Sequence, residues 1–177
     1  CKQAAEVLGL ESVALAERWG PKQQQGYPSF PDNAFDTVPI AEIAFVIEQW
    51  LGKHKPDTVF THHPGDVNQD HRRTFEAVLI ATRPFPGQWV KLLACFEVPS
   101  ATEWAFGSFK PFTPNLFVDV SKQWQQKMEA VMMYATEMRD WPHPRSYGMI
   151  RALAMRWGCT IGVDYAEAFE IVREIWE

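Results

Sequence analysis

Hydrophobic and polar residues follow different spacings in successive blocks of the chain. Over residues 38–51 the apolar positions recur every three or four residues, which predicts an amphipathic helix that ends near Gly52. Residues 58–61 form a short segment of β-branched and aromatic side chains, which predicts a strand buried on both faces. A helix followed by a buried strand is the repeating pattern of α/β proteins.

The rest of the chain continues this alternation of helices and strands. Its first residues have the pattern of the second half of an amphipathic helix closed by Gly9, and residues 20–36 are polar enough to predict a surface loop. The further predicted elements are a β-compatible segment at 12–17, a helix at 72–82, strands at 91–98 and 116–120, a long helix at 121–139, a helix that ends near Trp157 and a strand at 166–172. We expect a single α/β domain over residues 1–177.

The densest group of chemically capable side chains follows the strand at 58–61. The loop contains His62, His63, Asp66, Asn68, Asp70 and His71. In open α/β sheets ligands bind at the carboxyl ends of strands, so the position of the loop favours a functional site. Catalytic zinc sites need three imidazole or carboxylate ligands and a water. His71, at the start of a predicted helix, is the best candidate ligand.

Structural roles for these histidines compete with the functional ones. His71 is also a plausible helix-start residue for which Asp70 acts as the cap. His62 and His63 are adjacent at a strand end, so their side chains point to opposite sides and at most one can face the site.

Composition and charge exclude several classes of function. The net charge of −5 and the scattered Lys and Arg residues argue against nucleic-acid binding. No apolar run approaches the roughly 18 residues of a membrane span. The three cysteines are odd in number and form no CxxC pair, which is typical of a reducing compartment and predicts a cytoplasmic protein.

Two segments next to each other contain a distinctive motif. Residues 55–62 are Lys-Pro-Asp-Thr-Val-Phe-Thr-His, and residues 65–72 are Gly-Asp-Val-Asn-Gln-Asp-His-Arg. They resemble the second motif of the LmbE/PIG-L family of N-deacetylases. The similarity continues at residues 81–84, 96–104, 112–115, 134–139, 142–146 and 162–169.

The resemblance implies a Rossmann-like, three-layer α/β domain with a mostly parallel sheet. It also implies a zinc-dependent hydrolase that removes the N-acetyl group of an N-acetylglucosamine-type amino sugar or conjugate and releases acetate. In the family, one zinc ligand is a His that matches His71. The others come from an Ala-His-Pro-Asp-Asp-Glu motif after the first strand, which also supplies the general base. That motif does not occur in this sequence. We therefore expect the first strand and its motif to be missing, the domain being truncated at its N-terminus.

The resemblance also assigns candidate catalytic roles. Asn68 stands where several relatives have a His that protonates the amine or stabilises the oxyanion, and Asn can donate a hydrogen bond but not a proton. His143, in a proline-stiffened polar loop, is the candidate replacement. Asp70 is expected to orient the motif or to pair with an Arg rather than to act as the base.

Polar residues that follow the predicted strands are candidates for substrate binding. They suit recognition of sugar hydroxyls, and Trp104 could stack on a sugar ring. The candidates are Asp66, Arg83, Glu97, Ser100, Thr102, Glu103, Trp104, Arg145 and Ser146. For each of them the competing interpretation is loop capping or hydrogen bonding at a helix start.

Three hypotheses follow for function. The first is the zinc-dependent deacetylase, acting on a small N-acetylated amino sugar and assembling as a homo-oligomer. The second is a catalytically inactive family member that binds a sugar ligand or a partner, because His71 is the one expected zinc ligand that the sequence contains. The third is an unrelated metal-assisted hydrolase of esters or phosphoesters, against which the ordered family resemblance argues.

Overall fold

The computed structural model describes residues 2–10, 30–107 and 109–176. These residues form two compact units. One contains residues 2–10 and 116–168, and the other contains residues 30–107, 109–115 and 169–176.

The second unit carries the polar loop. Its elements are α2 (Ile40–His54), β1 (Thr58–His62), α3 (Gln69–Ala81), β2 (Leu92–Phe96) and the greater part of β4 (Ala166–Glu174). The apolar face of α2 packs against α3 through Ile43, Ala44 and Ala77. Strand β1 pairs with β2 in parallel, whereas β2 pairs with β4 in antiparallel.

The first unit is mainly helical. Its elements are α1 (Lys2–Leu8), β3 (Leu116–Asp119), α4 (Trp124–Met132) and α5 (Tyr147–Ile161), together with the first residues of β4. Helix α1 packs against α4, and Gln126 Nε2 donates a hydrogen bond to the Val7 carbonyl at 2.7 Å. Trp124 stacks on Tyr165 with ring centroids 4.3 Å apart.

The strands are ordered β1-β2-β4-β3 in one sheet, and β4 runs through both units. The predicted α/β fold is confirmed. The sheet is mixed, because β4 runs opposite to β2. No helix in the described part of the chain is long and apolar enough to cross a membrane.

Several predicted elements have different bounds. The helix predicted at 121–139 is wrong at both ends, since Ser121 hydrogen-bonds Asp119 in a turn before α4. After α4, Arg139 Nη1 donates to the carbonyls of Thr136 and Met138, in a turn rather than a helix. Strand β1 is not buried on both faces, because Phe60 is 46% exposed. The segment predicted at 12–17, and the loop as far as residue 29, lie outside the described residues.

Candidate active site

The loop between β1 and α3 is held by a side-chain cap on α3. Asn68 Oδ1 accepts hydrogen bonds from the backbone amides of Asp70, at 2.8 Å, and His71, at 3.4 Å. The cap is therefore Asn68, and the interpretation of Asp70 as the cap of this helix is wrong. Because the oxygen of Asn68 is engaged with the helix, its amide nitrogen is the group left to donate to a ligand.

Asp66 is fully buried and orients His71. Its Oδ1 accepts from the Asn68 amide at 2.8 Å, and its Oδ2 accepts from Thr102 Oγ1 at 3.0 Å. His71 Nδ1 lies 3.0 Å from the same Oδ2, a charge contact whose alignment is not that of a hydrogen bond. A carboxylate beside one ring nitrogen fixes the imidazole and leaves Nε2 for a ligand.

The electrostatics of this pair favour an ionised carboxylate. Burial by itself raises the pKa of Asp66. The close contacts to His71, the Asn68 amide and the Thr102 hydroxyl outweigh burial, and the net pKa is lowered.

His62 stacks on His71, with ring centroids 4.1 Å apart and planes inclined by 18°. Burial, and then the neighbouring His71, lower the pKa of His62 to about 4, so its ring is neutral at pH 7. Among the described residues, none hydrogen-bonds the buried Nδ1 of His62. His63 points the other way and is completely buried. The prediction that at most one of the two histidines faces the site is confirmed.

A cavity of about 230 Å³ lies against His71. Its lining residues are Phe30, Asp32, Phe35, His62, Asn68, Asp70, His71 and Thr74. Asp70 Oδ1 accepts a hydrogen bond from the Phe35 amide at 2.9 Å, so Asp70 fixes one wall of the cavity. That contact agrees with the predicted orienting role of Asp70 more closely than with a role as base.

Four of these lining residues were not predicted as site residues from the sequence. Thr74 lies one helical turn after Asp70 and hydrogen-bonds its carbonyl at 2.7 Å, so helical spacing could have indicated it. Phe30, Asp32 and Phe35 come from a distant segment, and no local pattern in the sequence connects them to α3.

Two of the substrate-binding candidates in the segment after β2, Thr102 and Glu103, make hydrogen bonds within the protein. Thr102 joins the site through Asp66, and its hydroxyl also accepts from the Val98 amide at 2.8 Å. Glu103 accepts from the amides of Ser100, at 2.6 Å, and Ala101, and so supports Ser100, whose φ is 70°. Glu97 and Trp104 lie in the same segment, and Trp104 is 40% exposed.

Arg83 is not brought to the site. It follows α3 at the end opposite to His71, and the helix from His71 to Ala81 alone spans about 15 Å. Its Nε donates to the Ile80 carbonyl at 2.9 Å.

His143, Arg145 and Ser146 belong to the other unit. His143 Nδ1 accepts from the Arg145 amide at 3.1 Å, and the Arg145 guanidinium is 2.8 Å from Glu137. Ser146 Oγ accepts from the Met149 amide at 3.2 Å and caps α5.

The first part of the chain, which includes this loop, matches a known protein family. The model of that family, described as PIG-L, GlcNAc-PI de-N-acetylase, covers residues 1–82. Residues 1–82 are therefore similar to the PIG-L family, and they are called the PIG-L segment below. The resemblance found in the sequence is thereby confirmed, and Asp66, Asn68, Asp70 and His71 all lie within the matched PIG-L segment.

Solved structures of similar fold extend the comparison beyond the PIG-L segment. The conserved protein TT1542 from Thermus thermophilus is 24% identical with a TM-score of 0.70, over 99% of this chain and 72% of that one. The N,N'-diacetylchitobiose deacetylase from Pyrococcus horikoshii is 20% identical with a TM-score of 0.67, over 97% and 61%. The zinc-inhibited form of teicoplanin deacetylase Orf2 is 21% identical with a TM-score of 0.53, over 86% and 58%.

These likenesses show a shared fold. The chain spans 58% to 72% of the length of these three structures. No curated protein sequence matches the chain.

Among the described residues, His71 is suited to be one ligand of a zinc ion. His71 offers a ring nitrogen beside the cavity, and Asp66 supplies the carboxylate that orients zinc-binding histidines. Residues 2–10, 30–107 and 109–176 contain no group of three or more potential ligands close enough to hold a metal. A complete catalytic zinc site needs two further protein ligands.

Proposed function

We propose that the protein is a hydrolase that removes the N-acetyl group from an N-acetylglucosamine-type amino sugar or conjugate and releases acetate. The observation that carries the proposal is the Asp66–His71 pair, which lies beside a cavity and within the PIG-L segment. Two solved structures of similar fold are named as deacetylases, one of them for N,N'-diacetylchitobiose and the other for teicoplanin.

In this proposal His71 is one ligand of a zinc cofactor. A bound zinc ion would polarise the amide carbonyl and lower the pKa of its water. Asp66 holds the His71 ring in place, and Asp70 fixes the wall formed by Phe35. Asn68 donates a hydrogen bond from its amide nitrogen to the acetyl oxygen, because its own oxygen is engaged with α3.

His143 remains the candidate for protonating the departing amine. The form of the ring that can do so is the imidazolium ion, which becomes neutral imidazole when it gives up its proton. The polar residues after β2, and Arg145 and Ser146, remain candidates for substrate binding. A cytoplasmic location and a homo-oligomeric assembly remain predictions.

Substitution of the proposed ligand tests the function directly. In the purified protein, His71→Ala is expected to lower acetate release from N-acetylglucosamine conjugates by at least about a hundredfold and to reduce bound zinc, measured by elemental analysis. The matched control is His54→Ala, which removes an exposed histidine at the end of α2. Full activity with full zinc occupancy in His71→Ala would overturn the assignment.

A second candidate function is a sugar-binding domain without catalysis. The absence of a three-ligand cluster among the described residues favours it. Calorimetry with an N-acetylglucosamine conjugate in the presence of a chelator separates the two candidates. Binding without zinc, together with no acetate release after zinc is added, would support the second candidate.

A further inference from the structure

A partly buried cluster of charged and polar side chains adjoins the loop that carries Asp66. Its members are His63, Lys110, Thr113 and Glu170, and Glu170 is 8% exposed whereas His63 is completely buried. Burying a carboxylate is costly unless it is paired and hydrogen-bonded. The contacts of Glu170 must therefore offset the free-energy cost of burying its carboxylate.

Both oxygens of Glu170 are engaged. Oε1 accepts from the Lys110 ammonium, while Oε2 accepts from the Thr113 amide at 3.0 Å and the Thr113 hydroxyl at 3.3 Å. His63 Nε2 lies 3.4 Å from the same Oε2. Burial raises the pKa of Glu170, but Lys110 and the Thr113 amide outweigh it and the net pKa is lowered. Glu170 is also fixed by its place on β4, opposite Cys95 of β2.

The contacts of His63 assign its ring proton. Its Nδ1 accepts a hydrogen bond from the Gly65 amide at 3.0 Å, and a nitrogen that accepts carries no proton. The proton of the neutral ring is thus assigned to Nε2, on the side of Glu170. Burial is the main cause that lowers the pKa of His63, which keeps the ring neutral.

The position of Asp66 depends on that of His63 through the intervening Gly65. A Cβ atom on Gly65 would lie 1.9 Å from the Lys110 carbonyl oxygen and 2.7 Å from Cε1 of His63. The backbone of Lys110 and the ring of His63 therefore close directly on Gly65. The next residue, Asp66, donates its amide to the His63 carbonyl at 3.2 Å.

We propose that Glu170 is a positioning residue for the candidate active site. Its carboxylate favours the His63 tautomer whose Nδ1 accepts a hydrogen bond from the Gly65 amide. The turn over residues 63–66 then places Asp66 Oδ2 at 3.0 Å from His71 Nδ1. Lys110 keeps the Glu170 carboxylate ionised and directed at the cluster. The effect on catalysis rests on the proposed function, whereas the effect on the His71 ring does not.

Glu170→Gln tests the proposal in the full-length protein. It replaces one acceptor oxygen by a donor in a cluster where Lys110 and Thr113 donate to that carboxylate and His63 Nε2 lies 3.4 Å from it. We expect the ring-nitrogen shifts of His63 and His71 to change in long-range ¹H–¹⁵N NMR spectra. We also expect kcat for acetate release to fall about tenfold, with KM within about twofold, as for supporting residues around a site.

The matched control is Glu167→Gln, on the same strand. Glu167 also pairs with a lysine, Lys127, but the Glu167 side chain is more exposed than that of Glu170 and the pair lies in the other unit. The control is expected to leave the His71 shifts and kcat unchanged. If Glu170→Gln gives the same His71 shifts and the same kcat as the control, the positioning role is refuted.

Two further results are decisive. If the wild-type protein releases no acetate, the proposed function fails, while the His71 shifts of Glu170→Gln still decide the positioning role. If Glu170→Gln does not fold, Lys110→Met replaces it, because the Lys110 side chain is 59% exposed and its removal spares the core. Altered His71 shifts in Lys110→Met support the proposal, and unaltered shifts overturn it.

Discussion

Asp66 is the residue at which the contacts of the candidate site meet. Its carboxylate accepts hydrogen bonds from the Asn68 amide and the Thr102 hydroxyl and lies beside His71, so the start of α3 and the segment after β2 both depend on one side chain. Thr102 was predicted to bind substrate. In the structure its hydroxyl is used inside the protein, between Asp66 and the Val98 amide.

Thr102→Val tests this internal role. The substitution keeps the shape of the side chain and leaves the Val98 amide and one Asp66 contact unsatisfied, which costs about 1–3 kcal/mol. Urea unfolding is expected to show that loss, and acetate release is expected to fall as His71 loses its fixed orientation. Thr136→Val, at an exposed position, is the control. Unchanged stability in Thr102→Val would show that the hydroxyl is dispensable.

At the residue scale, the sequence predicts contacts between residues that are close together in the chain. It does not predict contacts between residues that are far apart in the chain. His62 and His63 point in opposite directions because successive side chains alternate between the two faces of a strand, and this follows from their adjacent positions in the sequence. The bond from Thr102 to Asp66 joins residues 36 positions apart, and that from Lys110 to Glu170 joins residues 60 apart. Only the folded chain brings such residues together.

Among the elements, the start of α3 matters most for the site. Asn68 both ends the loop and caps the helix, so the positions of Asp70 and His71 depend on it. The sequence contained two candidate caps, Asn68 and Asp70, and composition alone could not separate them because both residue types cap helices well.

Two substitutions separate the capping role of Asn68 from its hydrogen-bond donation. Asn68→Ala removes the cap, and we expect the free energy of unfolding to fall by about 1 kcal/mol. Asn68→Ser restores an acceptor oxygen but lacks the amide donor, so it is expected to keep the stability and to lose acetate release. The measurements are urea unfolding and the deacetylation rate. If Asn68→Ser is fully active, the proposed donation to the substrate is wrong.

Helix α4 shows where periodicity misleads at this scale. Residues 121–139 carry helical spacing, yet α4 covers only Trp124–Met132. Side chains of Ser121 and Arg139 bind nearby backbone or carboxylate groups and stabilise turns instead. Such local competition between side chain and helix is not visible in the hydrophobic pattern.

At the scale of the whole molecule, the alternation of helices and strands was sufficient to predict the α/β fold. It was not sufficient to predict the direction of β4, which runs antiparallel to β2. A strand has the same period in either direction, so the mixed character of the sheet depends on tertiary contacts.

The buried ionisable groups predict how the stability of the protein depends on pH. His62 has a folded pKa of about 4, below its ordinary value of 6.5, and the pKa of His63 is also lowered. Between pH 6.5 and 4 the unfolded state therefore binds protons that the folded state does not. Asp66 and Glu170 also have lowered pKa values, so their stabilising contribution is lost as the pH falls through those values.

The two histidines destabilise the folded state as the pH falls below 6.5, and the two carboxylates add to this only below their ordinary pKa values of 3.8 and 4.5. The free energy of unfolding is therefore expected to decrease from pH 6.5 to pH 4, mainly because of the histidines. Each histidine contributes up to about 1.4 kcal/mol per pH unit within its own window. Urea unfolding at several pH values, with a chelator present, measures the slope. His62→Phe keeps an aromatic ring beside His71 and should have a shallower slope below pH 6.5. An equal slope in both proteins would contradict the assignment to His62.

The tight approach of Lys110 to Gly65 also has a genetic consequence. Every missense change of a glycine codon introduces a Cβ atom, and here that atom would lie 1.9 Å from a backbone oxygen rather than from a flexible side chain. Relief would require the main chain to move at the turn that precedes Asp66. In a mutational scan of the gene, the codon for Gly65 is therefore a position where silent changes alone should survive selection for activity.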